Sequence, residues 1–277
     1  MPARVVSLHR YPVKSGRVID LGAARLGRHG LQYDRGWLIV DAQDRFITQR
    51  THPALARLEA HPDEDGGLRL RHPAAGSLVI PPPPALTAPD GLRRVRVWNR
   101  EVPATDCGPE AAAFASRVIG APARIVAAID ANFPDGYPLL ICNVASLADL
   151  AARLPEPIPM SRFRPNIVVE GWDPWAEDGI REVRIGAARL RLVKACTRCV
   201  ITTRDQQSGE PGIDPLPVLR TFRWDRSLRG VTFGWNAEVT AGAGAMLRVG
   251  DEVEVLEARQ AAAAAGGVSP NGTREVT

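Results

Sequence analysis

The segment Lys194-Ala195-Cys196-Thr197-Arg198-Cys199, continuing as Val200-Ile201-Thr202-Thr203-Arg204-Asp205, holds the densest chemistry in the chain. A C-x-x-C pair admits three chemical readings. A zinc knuckle needs four ligands, usually two such pairs, and here Cys107 and Cys142 are single and distant and no histidine lies beyond His72. A thioredoxin-like pair opens a helix whose dipole lowers a thiol pKa, whereas this pair follows a strand pattern and its sequel reads as extended. The third reading is one activated thiolate, ligand or nucleophile, stabilised by Lys194, Arg198 and Arg204. Beside these stands a plain alternative, two small thiols buried under a loop.

Other segments place cations at strand ends. They are Tyr11-Pro12-Val13-Lys14-Ser15-Gly16, Tyr33-Asp34-Arg35-Gly36-Trp37, Thr48-Gln49-Arg50 and Ser161-Arg162-Phe163-Arg164-Pro165-Asn166. Alone, each is an ordinary solvated charge. Strung along the loops at one rim of a barrel, they can converge on an anion. A thiolate beside such a rim points to a phosphorylated cofactor held by a sulfur ligand.

The elements that must position these residues are mostly strands. Val18–Leu21, Trp37–Val40, Arg45–Thr48, Leu68–Arg71, Ser77–Ile80 and Arg94–Trp98 read as strands separated by polar turns, the pattern of a barrel or sandwich. Helices are predicted at Pro109–Ile119, closed by Gly120, and at Ser146–Leu154. Further strands follow at Asn166–Glu170, Glu182–Ile185, Ala188–Val193 and Val249–Leu256, and residues 258–277 read as a disordered tail.

Composition narrows the function classes. The chain has 277 residues and a net charge of +4, too mild for a dedicated nucleic-acid binder. All but two of the 35 basic residues are arginines, the lysines being Lys14 and Lys194. Four cysteines are too few for a disulfide-stapled secreted module, and neither a signal-peptide core nor a membrane span is evident. A soluble cytoplasmic protein is expected, with no nucleic acid and no membrane as partner.

Taken in order, Tyr-Pro-Val-Lys-Ser, Asp-Arg-Gly-Trp, Thr-Gln-Arg, Ala145–Leu150, Arg162–Ile167, Ala176-Glu177-Asp178, Cys196–Cys199 and Thr202–Asp205 resemble the MOSC family, the molybdenum cofactor sulfurase C-terminal domain. The likeness covers roughly residues 3 to 257. It is strongest to the branch of the mitochondrial amidoxime-reducing component and its bacterial relatives.

The resemblance implies a mostly β, α+β fold: a MOSC N-terminal β-rich domain over 1–125, then a MOSC β-barrel over 126–257. It implies a molybdenum cofactor (Mo-molybdopterin) between them. Cys199 becomes the catalytic residue and molybdenum ligand, and Lys14, Ser15, Arg35, Ser146, Arg164 and Asn166 the cofactor contacts, with Arg50 and Arg162 as further candidates. Cys196, Cys107 and Cys142 are expected to be structural thiols, and Asp178 either a supporting acid or a turn former.

The implied activity is an oxidoreductase that reduces N-hydroxylated or similar oxygen-bearing small molecules. The alternative is a cofactor or sulfur carrier without turnover. No cysteine follows Cys199, so no iron–sulfur cluster is expected in this chain, and no nucleotide-binding glycine fingerprint follows a strand. Electrons are therefore expected from a separate ferredoxin- or cytochrome-type protein with its reductase.

Overall fold

The structure is a computed structural model and describes residues 2–82, 92–129 and 132–259. The expected tail falls almost wholly outside the described residues. Four strands open the chain: β1 (Arg4–Arg10), β2 (Ile19–Leu21), β3 (Ala23–Gly27) and β4 (Gly30–Leu31). Seven more follow: β5 (Trp37–Asp41), β6 (Glu59–Pro62), β7 (Leu68–His72), β8 (Gly76–Ile80), β9 (Leu92–Val97), β10 (Arg100–Asp106) and β11 (Ala123–Ala128), with α1 (Pro109–Ile119) before the last. The rest of the chain gives β12 (Leu139–Asn143), α2 (Val144–Ala151), β13 (Ile167–Glu170), β14 (Ile180–Ile185), β15 (Ala188–Thr197), α3 (Leu216–Phe222), β16 (Trp224–Asp225), β17 (Gly230–Ala241), β18 (Met246–Arg248) and β19 (Val253–Ala258).

Local sequence explains many of these elements. The Leu-Arg-Leu-Arg alternation of β7 buries each leucine and exposes each arginine. In α1, Pro109 starts the helix, Glu110 sits in the first turn and Arg117 in the last. Gly120 closes it in the left-handed region, its N–H bonded to the Ser116 carbonyl.

The large sheet runs β19-β14-β15-β17-β12-β13-β1-β2, with β16 branching from β17. Its pairings are antiparallel except β12 with β13. β17 is the spine, bonded to β12 on one side and β15 on the other. At Gly234 of this strand φ is +72°, and a Cβ there would stand 2.6 Å from the Cys142 sulfur. Only glycine fits. A second sheet, β5-β11-β10-β9, packs one face into each of two clusters, and a third, β6-β7-β8, joins one of them.

Strand pairing runs across the chain between its two halves. β1 pairs with β13, and β3 pairs with β18, far down the chain. Val5, Leu8, Leu26 and Leu31 accordingly share a core with Leu139, Ile141, Ile167 and Leu190. The separate core of the first half begins at Val13 and ends at Ala127. The strand expected over Arg45–Thr48 reduces to two isolated bridges, Phe46 with Val40 and Arg45 with Arg96. Val200–Thr203, expected to be extended, forms a 3₁₀ turn.

Candidate functional site

Beside the large sheet a cleft of about 430 Å³ opens. Its walls are the loop after β1, the turn before β5, the segment leading into β12, the turn before β13 and the end of β15. Lys14, Ser15, Arg35, Arg50, Arg164, Asn166 and Cys199 all line it. Seven of the nine site candidates thus come together.

Three of them, Ser15, Arg35 and Arg164, hold positive φ angles of 65°, 49° and 55°. For residues with a side chain this conformation costs on the order of 1–3 kcal/mol each, and such strain gathers where it serves a site. Surrounding bonds hold it in place. The buried Gln49 amide donates to the Ser15 carbonyl at 2.8 Å, and the Arg35 N–H donates to the Tyr11 carbonyl at 2.8 Å.

The arginines converge on an aromatic ring. Arg35 and Arg164 place their guanidinium carbons 4.6 and 4.2 Å from the centre of the buried Tyr11 ring. Tyr11 is fixed by its hydroxyl, which donates to the Pro165 carbonyl, and by its N–H, which donates to Asp34. Arg35 is paired with the fully buried Asp34 and also donates to the Asn166 side-chain oxygen. That oxygen accepts from Leu140 N–H as well, while the Asn166 amide nitrogen donates to the His9 carbonyl. Asn166 therefore aims Arg35, its own polar atoms already engaged.

Arg164 differs. Its side chain donates to the Gln206 side-chain oxygen, and among the described residues no carboxylate lies within ion-pair distance. Burial, with repulsion from Arg35, brings its pKa down to about 10. Asp34 and Asp135 act on Arg164 only at a distance.

Lys14 donates to the Phe133 carbonyl at 2.9 Å and to Asp135 at 2.6 Å, and Arg50 reaches the other Asp135 oxygen at 3.5 Å. Burial alone would raise the Asp135 pKa. Lys14, aided by Arg50 and Arg35, overrides it and holds the carboxyl well below the usual range. The cleft wall counts Lys14, Arg35, Arg50, Arg164, Lys194 and Arg198 against this one carboxylate. Its charge is strongly positive.

Cys199 ends an extended stretch at the entrance to the 3₁₀ turn, and its carbonyl accepts from both the N–H and the hydroxyl of Thr202. β15 bulges against β17 between Leu192 and Lys194 and again between Ala195 and Thr197, which re-aims Lys194 and Cys196 toward the cleft. Cys196, expected to be a buried structural thiol, is instead part of the wall. Of the cations expected beside an activated thiolate, Lys194 and Arg198 line the cleft together with both cysteines. Arg198 donates to the Cys196 sulfur at 2.8 Å and to the Phe163 carbonyl, and Arg204 donates to the Gly209 carbonyl.

The MOSC N-terminal beta barrel domain model matches residues 2–122, and the MOSC domain model matches residues 129–254. The chain belongs to the MOSC family. Mitochondrial amidoxime-reducing component 1 of Mus musculus is 32% identical over 244 residues, covering 79% of this MOSC chain and 71% of that protein. Mitochondrial amidoxime reducing component 2 of Homo sapiens is 32% identical over 246 residues, covering 79% and 72%. Among solved structures, the YUAD protein of Bacillus subtilis aligns over 92% of this chain and 95% of its own, at 11% identity and a TM-score of 0.41.

Two expected contacts of the MOSC chain lie elsewhere. Ser146 is fully buried in the first turn of α2, where it donates to Glu177 and accepts from the Trp175 N–H. The buried Glu177 carboxylate, whose pKa burial raises, needs that donor, so the hydroxyl is turned away from the cleft. Arg162 is a buried strut, its guanidinium directed at the Thr202 and Ile213 carbonyls. Asp178 clamps Arg223 and the Trp235 indole N–H, again outside the cleft. Cys142 is core as expected, and Cys107 is half-buried against the first core.

Sequence reasoning missed Trp98, Asp135, Tyr137, Thr197 and Asn236, all in the cleft wall. Asp135 had a signal, since Pro134-Asp135-Gly136 is a turn sequence placed just before an apolar strand.

Proposed function

We propose that this chain binds the pyranopterin molybdenum cofactor in the cleft, with Cys199 as its protein ligand to the metal, and reduces N-hydroxylated or similar oxygen-bearing small molecules. The observation that carries the reading is Arg164, a guanidinium with no carboxylate partner among the described residues, in the same cleft as a cysteine. The donor set fits such a group. Among the described residues no three of His, Cys, Asp and Glu gather to hold a metal ion. A metal at Cys199 would thus take its remaining ligands from its own organic carrier, and the cations suit that carrier's phosphate.

Lys14, Arg50 and Arg164 bind the anionic end, and the Ser15 hydroxyl adds a donor. Arg35 is held by Asp34 and Asn166 at a fixed angle beside Arg164. Asp135 stays ionised at neutral pH, so it orients Lys14 rather than supplying a proton. When bound, the cofactor supplies a two-electron redox couple; N–OH, two electrons and two protons give N–H and water.

The electrons come from a separate ferredoxin- or cytochrome-type protein with its reductase, docking briefly as redox partners do. The curated relatives are named for mitochondria; for this chain the cytoplasm is proposed, a reducing setting in which its cysteines persist as free thiols. Among the described residues no helix is long and apolar enough to cross a membrane.

The test is molybdenum and pterin content of the purified protein, followed by reduction of an amidoxime with a reduced dye. Metal with turnover supports the enzyme. Metal without turnover makes the chain a carrier, and absence of both overturns the proposal.

A further inference from the structure

Gln206 is buried, at 4% exposure, just past the 3₁₀ turn that opens at Cys199, and it does not line the cleft. Both ends of its amide are engaged. The oxygen accepts from the Arg164 guanidinium at 3.0 Å, and the nitrogen donates to the carbonyls of Ile201 at 3.2 Å and Arg204 at 3.1 Å. The Ile201 carbonyl also accepts the Arg204 N–H, and the Cys199 carbonyl accepts the Thr202 N–H, so the amide is bonded to the turn that Cys199 begins. A carboxylate in its place has no proton for the two carbonyls, and an apolar chain has no acceptor for the guanidinium. The loop that carries Gln206 is itself fixed. Asp205 Oδ1 accepts from the N–H groups of Gln207 and Ser208, and the Asp205 N–H donates to the Glu210 carbonyl. Gly209, at φ of +82°, packs so closely on Pro53 that a Cβ there would stand 2.4 Å from the Pro53 carbonyl oxygen.

A buried guanidinium needs a hydrogen-bond partner. A carboxylate aims it and also neutralises it, the arrangement Arg35 has with Asp34. An amide oxygen aims it and leaves the charge for a ligand. We infer that Gln206 is a positioning residue: it directs Arg164 into the cleft with its charge uncancelled, and it ties that arginine to the turn beginning at Cys199. The inference rests on the proposed reading of Arg164 as an anion-holding group and adds the residue through which the chain keeps it so.

The probe is inorganic sulfate, titrated calorimetrically into the full chain at neutral pH. Gln206→Glu gives Arg164 a carboxylate of its own, and Gln206→Met removes both polar atoms at nearly the same length. Each should weaken sulfate binding at least about fivefold. Gln207→Glu puts the same added charge on the exposed neighbour and should change it less than about twofold. Because Gln206 works through Arg164, Gln206→Met in an Arg164→Ala background should move sulfate affinity less than about twofold; a merely structural loop residue would weaken binding alike in both backgrounds. Where one Gln206 variant fails to fold by circular dichroism, the other is carried through the same cycle. Parental sulfate affinity in both variants, equal losses with and without Arg164, an equal loss in Gln207→Glu, unfolding of both variants, or a parent that binds no sulfate overturns the inference. A parent that binds sulfate yet holds no molybdenum when purified overturns the cofactor reading instead, and the titrations still decide Gln206.

Discussion

Arg35 and Arg164 share one tyrosine. Both guanidinium groups lie over the Tyr11 ring, yet Arg35 has a buried carboxylate partner and Arg164 has none among the described residues. The two arginines should therefore respond differently to removal.

Arg164→Ala should leave the fold intact and weaken cofactor retention roughly ten- to a hundredfold, the loss expected of a charge-assisted contact worth on the order of 1.5–3 kcal/mol. Arg35→Ala strands Asp34, which is 1% exposed, and should cost on the order of 3–5 kcal/mol of stability as well. Urea denaturation and metal content of both variants check this. Equal stability losses would contradict the asymmetry.

The pH dependence follows from the same residue. Arg164 is charged below its pKa, which burial has lowered to about 10. Anion affinity contributed by this group is thus fully present at neutral pH and lost as pH rises through about 10. The anion-free chain has the opposite slope. Between the lowered pKa and the ordinary one the unfolded chain binds more protons, so this group adds stability as pH rises. Sulfate keeps a fixed charge across this range. Its protection against thermal unfolding should be constant from about pH 7 to pH 9 and fall above about pH 10. A loss centred near neutrality would rule Arg164 out as the controlling group.

Cys199→Ser should abolish turnover and molybdenum retention, because a serine oxygen is a harder and poorer ligand than a thiolate. Cys196→Ser should keep the metal. It replaces the sulfur that Arg198 contacts in the cleft wall by a smaller oxygen and so shifts that contact, and a reduced rate with retained metal is the expected pattern. Metal analysis and dye-driven assay of the two variants separate the roles, and a Cys196→Ser protein without metal would reverse them.

Ser146→Ala should act on stability alone. It deprives the buried Glu177 of a donor and Trp175 N–H of its acceptor, at a cost of about 1–3 kcal/mol. Cofactor affinity measured well below the melting temperature should match the parent. A selective loss of cofactor would return Ser146 to the site.

The reductase reading also fixes the electron supply. Purified protein loaded with cofactor should be inert with NADH alone and active with reduced dye or a small redox protein plus its reductase. NADH-driven turnover by the chain alone would count against it.

What the sequence made legible was local. α1 is bounded by its own Pro109 and Gly120, and the alternation in β7 announces its buried face. The cations at strand ends were visible as segments, and their convergence followed from a barrel rim. Long-range choices were not legible. Nothing near Ser146 or Arg162 states that Glu177 or the Thr202 carbonyl will claim their polar groups. β17 went unread because its twelve residues mix glycines, polar residues and apolar ones, being paired on both sides and crossed by bulges. The family likeness supplied Cys199, whereas the direct contact of Arg198 with Cys196 depends on a register set by those bulges.

The pairing of β1 with β13 and of β3 with β18 bears on the order in which the protein is made. The first strands leave the ribosome well over a hundred residues before their partners, a wait of several seconds or more at about 5–20 residues per second. Lys14 and Ser15 hang directly from β1, and Cys199 follows β15, whose strand partners β14 and β17 bracket it in sequence. The cleft therefore has no existence on a nascent chain. Any anion the cleft takes up meets a finished polypeptide, and a gene split at the midpoint would leave β13 with an unpaired edge and the cleft with half its cations.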